Sequence, residues 1–266
     1  MTPLVERRTF LSLGVAAVAG TSWPAGRDQA SAGPLVGIPR QDAGMVEEMV
    51  RVAHGNLPRV KELLDGHPAL AKAAIDWGFG DWEDALGACS HVGRPDVAEV
   101  LLAHGARPTL FSATMLGQLD TVKAFIAAAP GAQRILGPHS LTLMVHARAG
   151  GERARAVRDY LEELGDADAG PVLEPLDPIA RLAYAGSYAF GAAADQRLDI
   201  ATTAAGGLSI HRPGLPFPRD LRHLGHHEFF PIGAESVRIR FAMVEGRASA
   251  VGVFDPAAVV NAMRVA

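Results

Sequence analysis

Apolar residues recur at helical spacing through the first two thirds of the chain and at alternate positions after about residue 185, so the hydrophobic period shifts from 3.6 to 2. The clearest helical stretch is residues 81–108. Ala85, Leu86, Ala88 and Cys89 fall on a short first helix, Gly93 supplies a tight turn, and Val97, Val100, Leu101 and Leu102 lie on a second helix that Gly105 ends. Residues 49–64 repeat the pattern, with Gly55 in the place of Gly93 and Val60, Leu63 and Leu64 in the places of Val97, Val100 and Leu101. Residues 111–126 do so again with Gly117 and Val122. A fourth unit over about 139–164 has Leu141, Leu143, Met144 and Ala147 on its first helix, Gly150 and Gly151 in its turn, and Val157, Tyr160 and Leu161 on its second helix. No single unit can bury its apolar face alone, so the pattern predicts stacked helical hairpins.

Pro171, Pro175 and Pro178 mark a linker, followed by a short helix over 179–184. Beyond it, residues 185–190, 197–202, 207–211, 228–232, 237–243 and 248–254 read as strands separated by glycine-rich turns. Alternation is clearest where Val237, Ile239, Phe241 and Met243 interleave with Arg238 and Arg240, as one buried face requires. The expected fold class is therefore α+β: a helical solenoid over 40–168, a linker over 169–180, and a small antiparallel β-sheet or partial barrel over 181–266.

The unit Asp-Trp-Glu-Asp-Ala-Leu-Gly-Ala-Cys-Ser-His-Val-Gly-Arg-Pro-Asp-Val-Ala-Glu-Val-Leu-Leu-Ala-His-Gly-Ala-Arg-Pro at 81–108 resembles an ankyrin repeat. That resemblance implies a binding scaffold whose fingers and first helices line a concave face. The turn glycines 55, 93, 117 and 150 are 38, 24 and 33 residues apart, and only the last interval matches the ankyrin period. The excess lies in a long first finger around 74–81, and the deficit removes the finger before Phe111. From Leu182, the run Leu-Ala-Tyr-Ala-Gly-Ser-Tyr-Ala-Phe, with a later Leu-Ser-Ile strand and Glu228-Phe-Phe-Pro, resembles the lipocalin-like β-domains appended to bacterial exported hydrolases. It implies an accessory role in binding or packing.

Residues 1–32 read as an export leader. Arg7-Arg8-Thr9-Phe10-Leu11 resembles a twin-arginine signal, an apolar run follows, and Ala30-Ser31-Ala32 offers a small-residue cleavage site. The run is too short to span roughly 30 Å of hydrocarbon, so removal is expected rather than anchoring, and the location is periplasmic or secreted. Cleavage takes away three arginines, one Glu and one Asp, moving the net charge from −4 to −5, which argues against nucleic acid as a partner. The single cysteine, Cys89, has no internal disulfide partner and is expected as a buried hydrophobe.

Candidate chemistry concentrates in Asp76-Trp77-Gly78-Phe79-Gly80-Asp81-Trp82-Glu83, directly before the helix that carries His91. Asp76, Trp77, Asp81 and Trp82 are expected to line a ligand groove, because aromatics bury much area at little entropic cost. Glu83, His91, His139 and His146 are the candidate acid–base residues, since histidine beside a carboxylate titrates near neutrality. The alternative is structural: a tryptophan caps the core, the acids begin a helix, and each histidine is a satisfied interface group. His223, His226, His227 and Glu228 invite a metal reading, but on a strand no three of them share a face, so a solvated loop is expected and no metal or cofactor is assigned. Arg107 either carries a cation to the next finger or pairs with Asp81. Phosphate-cradling glycine loops, the Gly-x-Ser-x-Gly elbow and paired-cysteine zinc spacing do not occur in the sequence.

As a whole the chain resembles bacterial exported ankyrin-repeat proteins, which implies recognition of a protein or a small polar ligand in the cell envelope. The rival expectation is an enzyme, a lyase, isomerase or hydrolase, using acid–base chemistry in the concave groove.

Overall fold

The structure is a computed structural model and describes residues 40–215 and 217–265. The leader expected over 1–32 lies outside those residues. All the α-helices but α6 and α8 begin at a capping side chain or a first-turn proline. Asp42 caps α1 (Ala43–Ala53), Asn56 caps α2 (Leu57–Gly66) and Asp84 caps α3 (Ala85–His91). Pro95 opens α4 (Pro95–Ala103), and a reciprocal Thr109–Ser112 capping box opens α5 (Leu110–Met115). The remaining helices are α6 (Leu119–Ala128), α7 (Leu143–Ala149), capped by Thr142, and α8 (Arg155–Leu164), which ends on left-handed Gly165.

These helices form two rows. α1, α3, α5 and α7 stack in succession, while α2 packs on α4 and α6 on α8. α7 also touches α3 directly, because α5, at six residues, is too short to keep them apart. Gly93 and Gly117 hold φ of 70° and 72° at turns pressed against a neighbouring backbone, where a Cβ would strike the carbonyl of Ala149 or Arg153. One apolar core gathers Met49, Leu64, Leu86 and Leu101; a second gathers Leu110, Val122, Leu143 and Leu161. Cys89 is fully buried in the first, and burial pushes its thiol up to about 12. The long finger is a hairpin of β1 (Ala74–Asp76) and β2 (Trp82–Asp84).

The second half is a closed antiparallel barrel of eight strands, where the sequence pattern had suggested six strands in a sheet or partial barrel. They are β3 (Gly186–Ala189), β4 (Arg197–Thr202), β5 (Leu208–His211), β6 (Arg219–Gly225), β7 (Glu228–Pro231), β8 (Arg238–Val244), β9 (Arg247–Asp255) and β10 (Ala257–Arg264). Each pairs with its successor, and β10 pairs back onto β3 to close the ring. β6 and β10 escaped the pattern because each carries few inward apolar residues. β6 turns Leu221 in among arginine, aspartate and histidine, and β10 buries only Ala262. His226 and His227, with φ of 49° and 62°, form the two-residue turn between β6 and β7. His223 instead lies within β6, opposite Phe229. Tyr188, Ile210, Phe229 and Ile239 fill the interior.

The finger joins the two halves. Phe79, at its tip, packs on the barrel core and borders a cavity of about 380 Å³ lined by Phe190, Leu198, Arg212, Leu215 and Val253. The buried Asp81 carboxylate pairs with Arg219 of β6, and the Gly233 N–H donates to Ser140 Oγ at 2.6 Å. The described residues from 41 onward accordingly form one compact unit. Among the described residues, no helix is long and apolar enough to cross a membrane.

Candidate functional site at the helix–barrel seam

Strand alternation sorts the finger's side chains. Ile75 stands opposite Glu83 and Asp76 opposite Trp82, so Glu83 turns inward to full burial while Trp82 turns out and is 64% exposed. Trp82 therefore does not share a groove with His91, contrary to the expectation that both lined one hollow. Asp76 is also absent from the cluster. Its Oδ1 accepts from the N–H groups of Gly78 and Gly80, at 2.8 and 3.1 Å, and shapes the finger tip.

Three of the expected acid–base residues do meet. Glu83 Oε1 lies 2.9 Å from His91 Nε2 and 3.4 Å from His139 Nε2, and Glu83 Oε2 accepts from Trp77 Nε1 at 2.7 Å. A fourth group, His54, joins them. Its Nε2 is 3.2 Å from His91 Nε2 and 3.6 Å from Glu83 Oε2. The Glu83 side chain is 0% exposed, whereas His54, His139 and His91 are 28%, 22% and 12% exposed, so the cluster is closed behind the carboxylate and reaches solvent along the imidazole edges.

The rings are held from outside. His54 Nδ1 lies 3.1 Å from the Val50 carbonyl, which fixes a proton on Nδ1 in the neutral ring and leaves Nε2 as a lone pair facing the cluster. His139 is gripped twice by Asp81, whose Oδ1 accepts from the His139 backbone N–H at 2.8 Å and whose Oδ2 meets Nδ1 at 2.7 Å. That grip holds His139 at φ 60°, followed by Ser140 at φ 59°, a left-handed pair that costs backbone energy in non-glycine residues. Arg219, not Arg107, is the cation beside Asp81.

Charge follows this geometry. Burial alone would raise Glu83, but hydrogen bonds from His139 and His91 outweigh it and bring its pKa down to about 2. Burial alone would lower His139, yet the Asp81 and Glu83 carboxylates lift it to about 9. Asp81 is lowered despite its burial by the two bonds from His139. His146 behaves differently. It is fully buried, stacks against Phe111 at 4.9 Å and stands 6.4 Å from the His91 ring, and neither of its nitrogens has a hydrogen-bond partner among the described residues. Burial, then repulsion from His91, lowers it to about 4.

His54, Glu83, His91 and His139 are the described residues whose donor atoms all lie within 4.8 Å of one another. They come from the end of α1, β2, the end of α3 and the turn before α7, so no short spacing announces them. The missed member left one trace: His54 precedes Gly55 by one residue, and His91 precedes the equivalent turn glycine, Gly93, by two. Arg219 left none. No protein-family model matches the chain, and neither a curated protein nor a solved structure matches it.

Proposed function

We propose that this chain is an exported protein, ankyrin-like in its helical half and lipocalin-like in its barrel, that takes up a small polar ligand at the Glu83 cluster and relays protons on it. The observation that carries the reading is the connected run Asp81, His139, Glu83, His91, linked at 2.7, 3.4 and 2.9 Å, with its imidazole edges open to solvent. A buried carboxylate between oriented imidazoles is the arrangement general acid–base chemistry requires. The Asp81 grip supplies the orientation of His139, and Trp77 holds the carboxylate. Display to a protein partner is less favoured, because Trp77 and Glu83 bond each other instead of facing outward. The leader expected over 1–32 supports a periplasmic or secreted location.

The test is a thermal-shift screen of the full chain, kept in chelator, against a panel of small polar envelope metabolites. A ligand of the cluster raises the melting temperature of the parent and loses that effect in Glu83→Gln and His91→Ala. Stabilisation that survives both substitutions removes the cluster as the binding site.

A further inference from the structure

We propose that His54, His91 and His139, through Nε2, together with the Glu83 carboxylate, form a binding site for one divalent transition-metal ion of the zinc class. The inference deepens the reading above and rests on the same cluster being the working site.

Four features of the geometry point to an ion. The first is spacing. Zinc bonds to nitrogen and oxygen of about 2.0–2.1 Å place the ligand atoms of a tetrahedron about 3.3–3.4 Å apart. His91 Nε2 stands 2.9 Å from Glu83 Oε1 and 3.2 Å from His54 Nε2, His139 Nε2 stands 3.4 Å from Glu83 Oε1, His54 meets the other carboxylate oxygen at 3.6 Å, and one donor atom from each residue lies within 4.8 Å of all the others, a spread that includes that edge length. The second is ligand type. Three imidazoles and one carboxylate suit zinc and its neighbours in the first transition row, whereas magnesium and calcium take oxygen sets.

The third feature is the outer shell. Metal-bound histidines pass their second nitrogen to a carboxylate or a backbone carbonyl. His139 Nδ1 meets Asp81 and His54 Nδ1 meets the Val50 carbonyl, so both rings are already turned with Nε2 toward the shared point. The strained φ of 60° at His139, sustained by Asp81, aims one of these rings. The fourth is packing of like groups. The Nε2 atoms of His54 and His91 face each other at 3.2 Å while both approach one carboxylate, a crowding that a single cation relieves by taking the place of the protons on Nε2 of His91 and His139. Glu83 closes the rear and the histidine edges remain in contact with solvent, giving the ion a path in.

The experiment uses the full chain stripped with chelator and titrated calorimetrically with Zn²⁺, with Co²⁺ absorption as a second readout. Expected is one ion per chain, intense ligand-field absorption from Co²⁺, and no comparable binding of Mg²⁺ or Ca²⁺. Glu83→Gln and His54→Gln are expected to weaken Zn²⁺ by more than about 100-fold, and Asp81→Asn, which acts through His139, by about 10- to 100-fold. His104→Ala, an exposed histidine remote from the cluster, leaves binding unchanged. Because Glu83 is buried, its variant is checked by circular dichroism, and the partly exposed His54 provides the substitution that leaves the core intact. Failure of the parent to bind Zn²⁺, only the weak Co²⁺ absorption of the aquo ion, or binding that His54→Gln does not weaken overturns the proposal. Ligand stabilisation of the chelator-treated chain reports separately on the proton-relay reading, so either can fail without the other.

Discussion

Replacing Arg219 by methionine takes one of two cations away from a buried carboxylate and leaves only His139 facing it. The Arg219 and Asp81 side chains are 8% and 1% exposed, so water screens their attraction little and offers Asp81 no substitute partner. Asp81 keeps both bonds from His139 but loses the guanidinium, and the Ile232 carbonyl loses its 2.7 Å donor. Removing one member of a buried ion pair costs about 3–5 kcal/mol when the charge left behind is unpaired, and less here because positive His139 stays on Asp81, so the loss is about 2–3 kcal/mol, that of charge-assisted hydrogen bonds. Removing both members avoids most of that penalty. Urea unfolding of the full chain at neutral pH is therefore expected to show Arg219→Met destabilised by about 2–3 kcal/mol. The double variant with Asp81→Asn should cost less than the sum of the single variants by about 2 kcal/mol. A loss below about 1 kcal/mol for Arg219→Met, or an additive cycle, refutes the ion pair as what fastens the finger to the barrel.

In chelator-treated protein the stability–pH profile should peak between about pH 6 and 7. Glu83, held near 2 against an ordinary 4.5, stabilises above 4.5 and loses that contribution as pH falls through about 2; His139, raised to about 9 from 6.5, stabilises below 6.5 and loses its contribution as pH rises through about 9. His146, held near 4 against 6.5, adds a further loss as pH falls from 6.5 toward 4. Chemical denaturation across this range checks the profile, and constant stability from pH 6.5 to 9 contradicts the role given to His139. His146→Leu is expected to raise stability by about 1–2 kcal/mol, because it removes a buried ring with two unpartnered nitrogens; destabilisation in the same assay would mean that the ring is hydrogen-bonded. Trp77→Phe deletes the indole donor to buried Glu83 and should cost about 1–3 kcal/mol, whereas the exposed Trp82→Ala should change stability by less than about 0.5 kcal/mol. Equal effects of the two would contradict the inward bond of Trp77 and the outward placement of Trp82.

The helical half was readable because its signals are local. Gly93 and Gly117 mark turns, Val97 and Leu101 mark buried faces, and Asp84 marks a helix start, each within a few residues of the structure it specifies. The barrel was readable only in part, since strands such as β8 announce themselves by alternation while β6 and β10 do not. Closure depends on β10 finding β3, a pairing of Met263 with Ala189 across more than seventy residues that no local pattern encodes.

For the candidate site, sequence by itself determined which residue types were gathered in the finger, that Glu83 and His91 share one unit and that His139 opens another. Tertiary structure decided which of them meet. Period-two alternation sent Trp82 out and Glu83 in, the short α5 let α7 reach α3, and the turn of α1 carried His54 to the same carboxylate. Arg219 arrives from the barrel, 138 residues from Asp81. A side chain's type is a property of one position, but its partner and its burial are set by packing among distant segments, and only the folded chain contains that information.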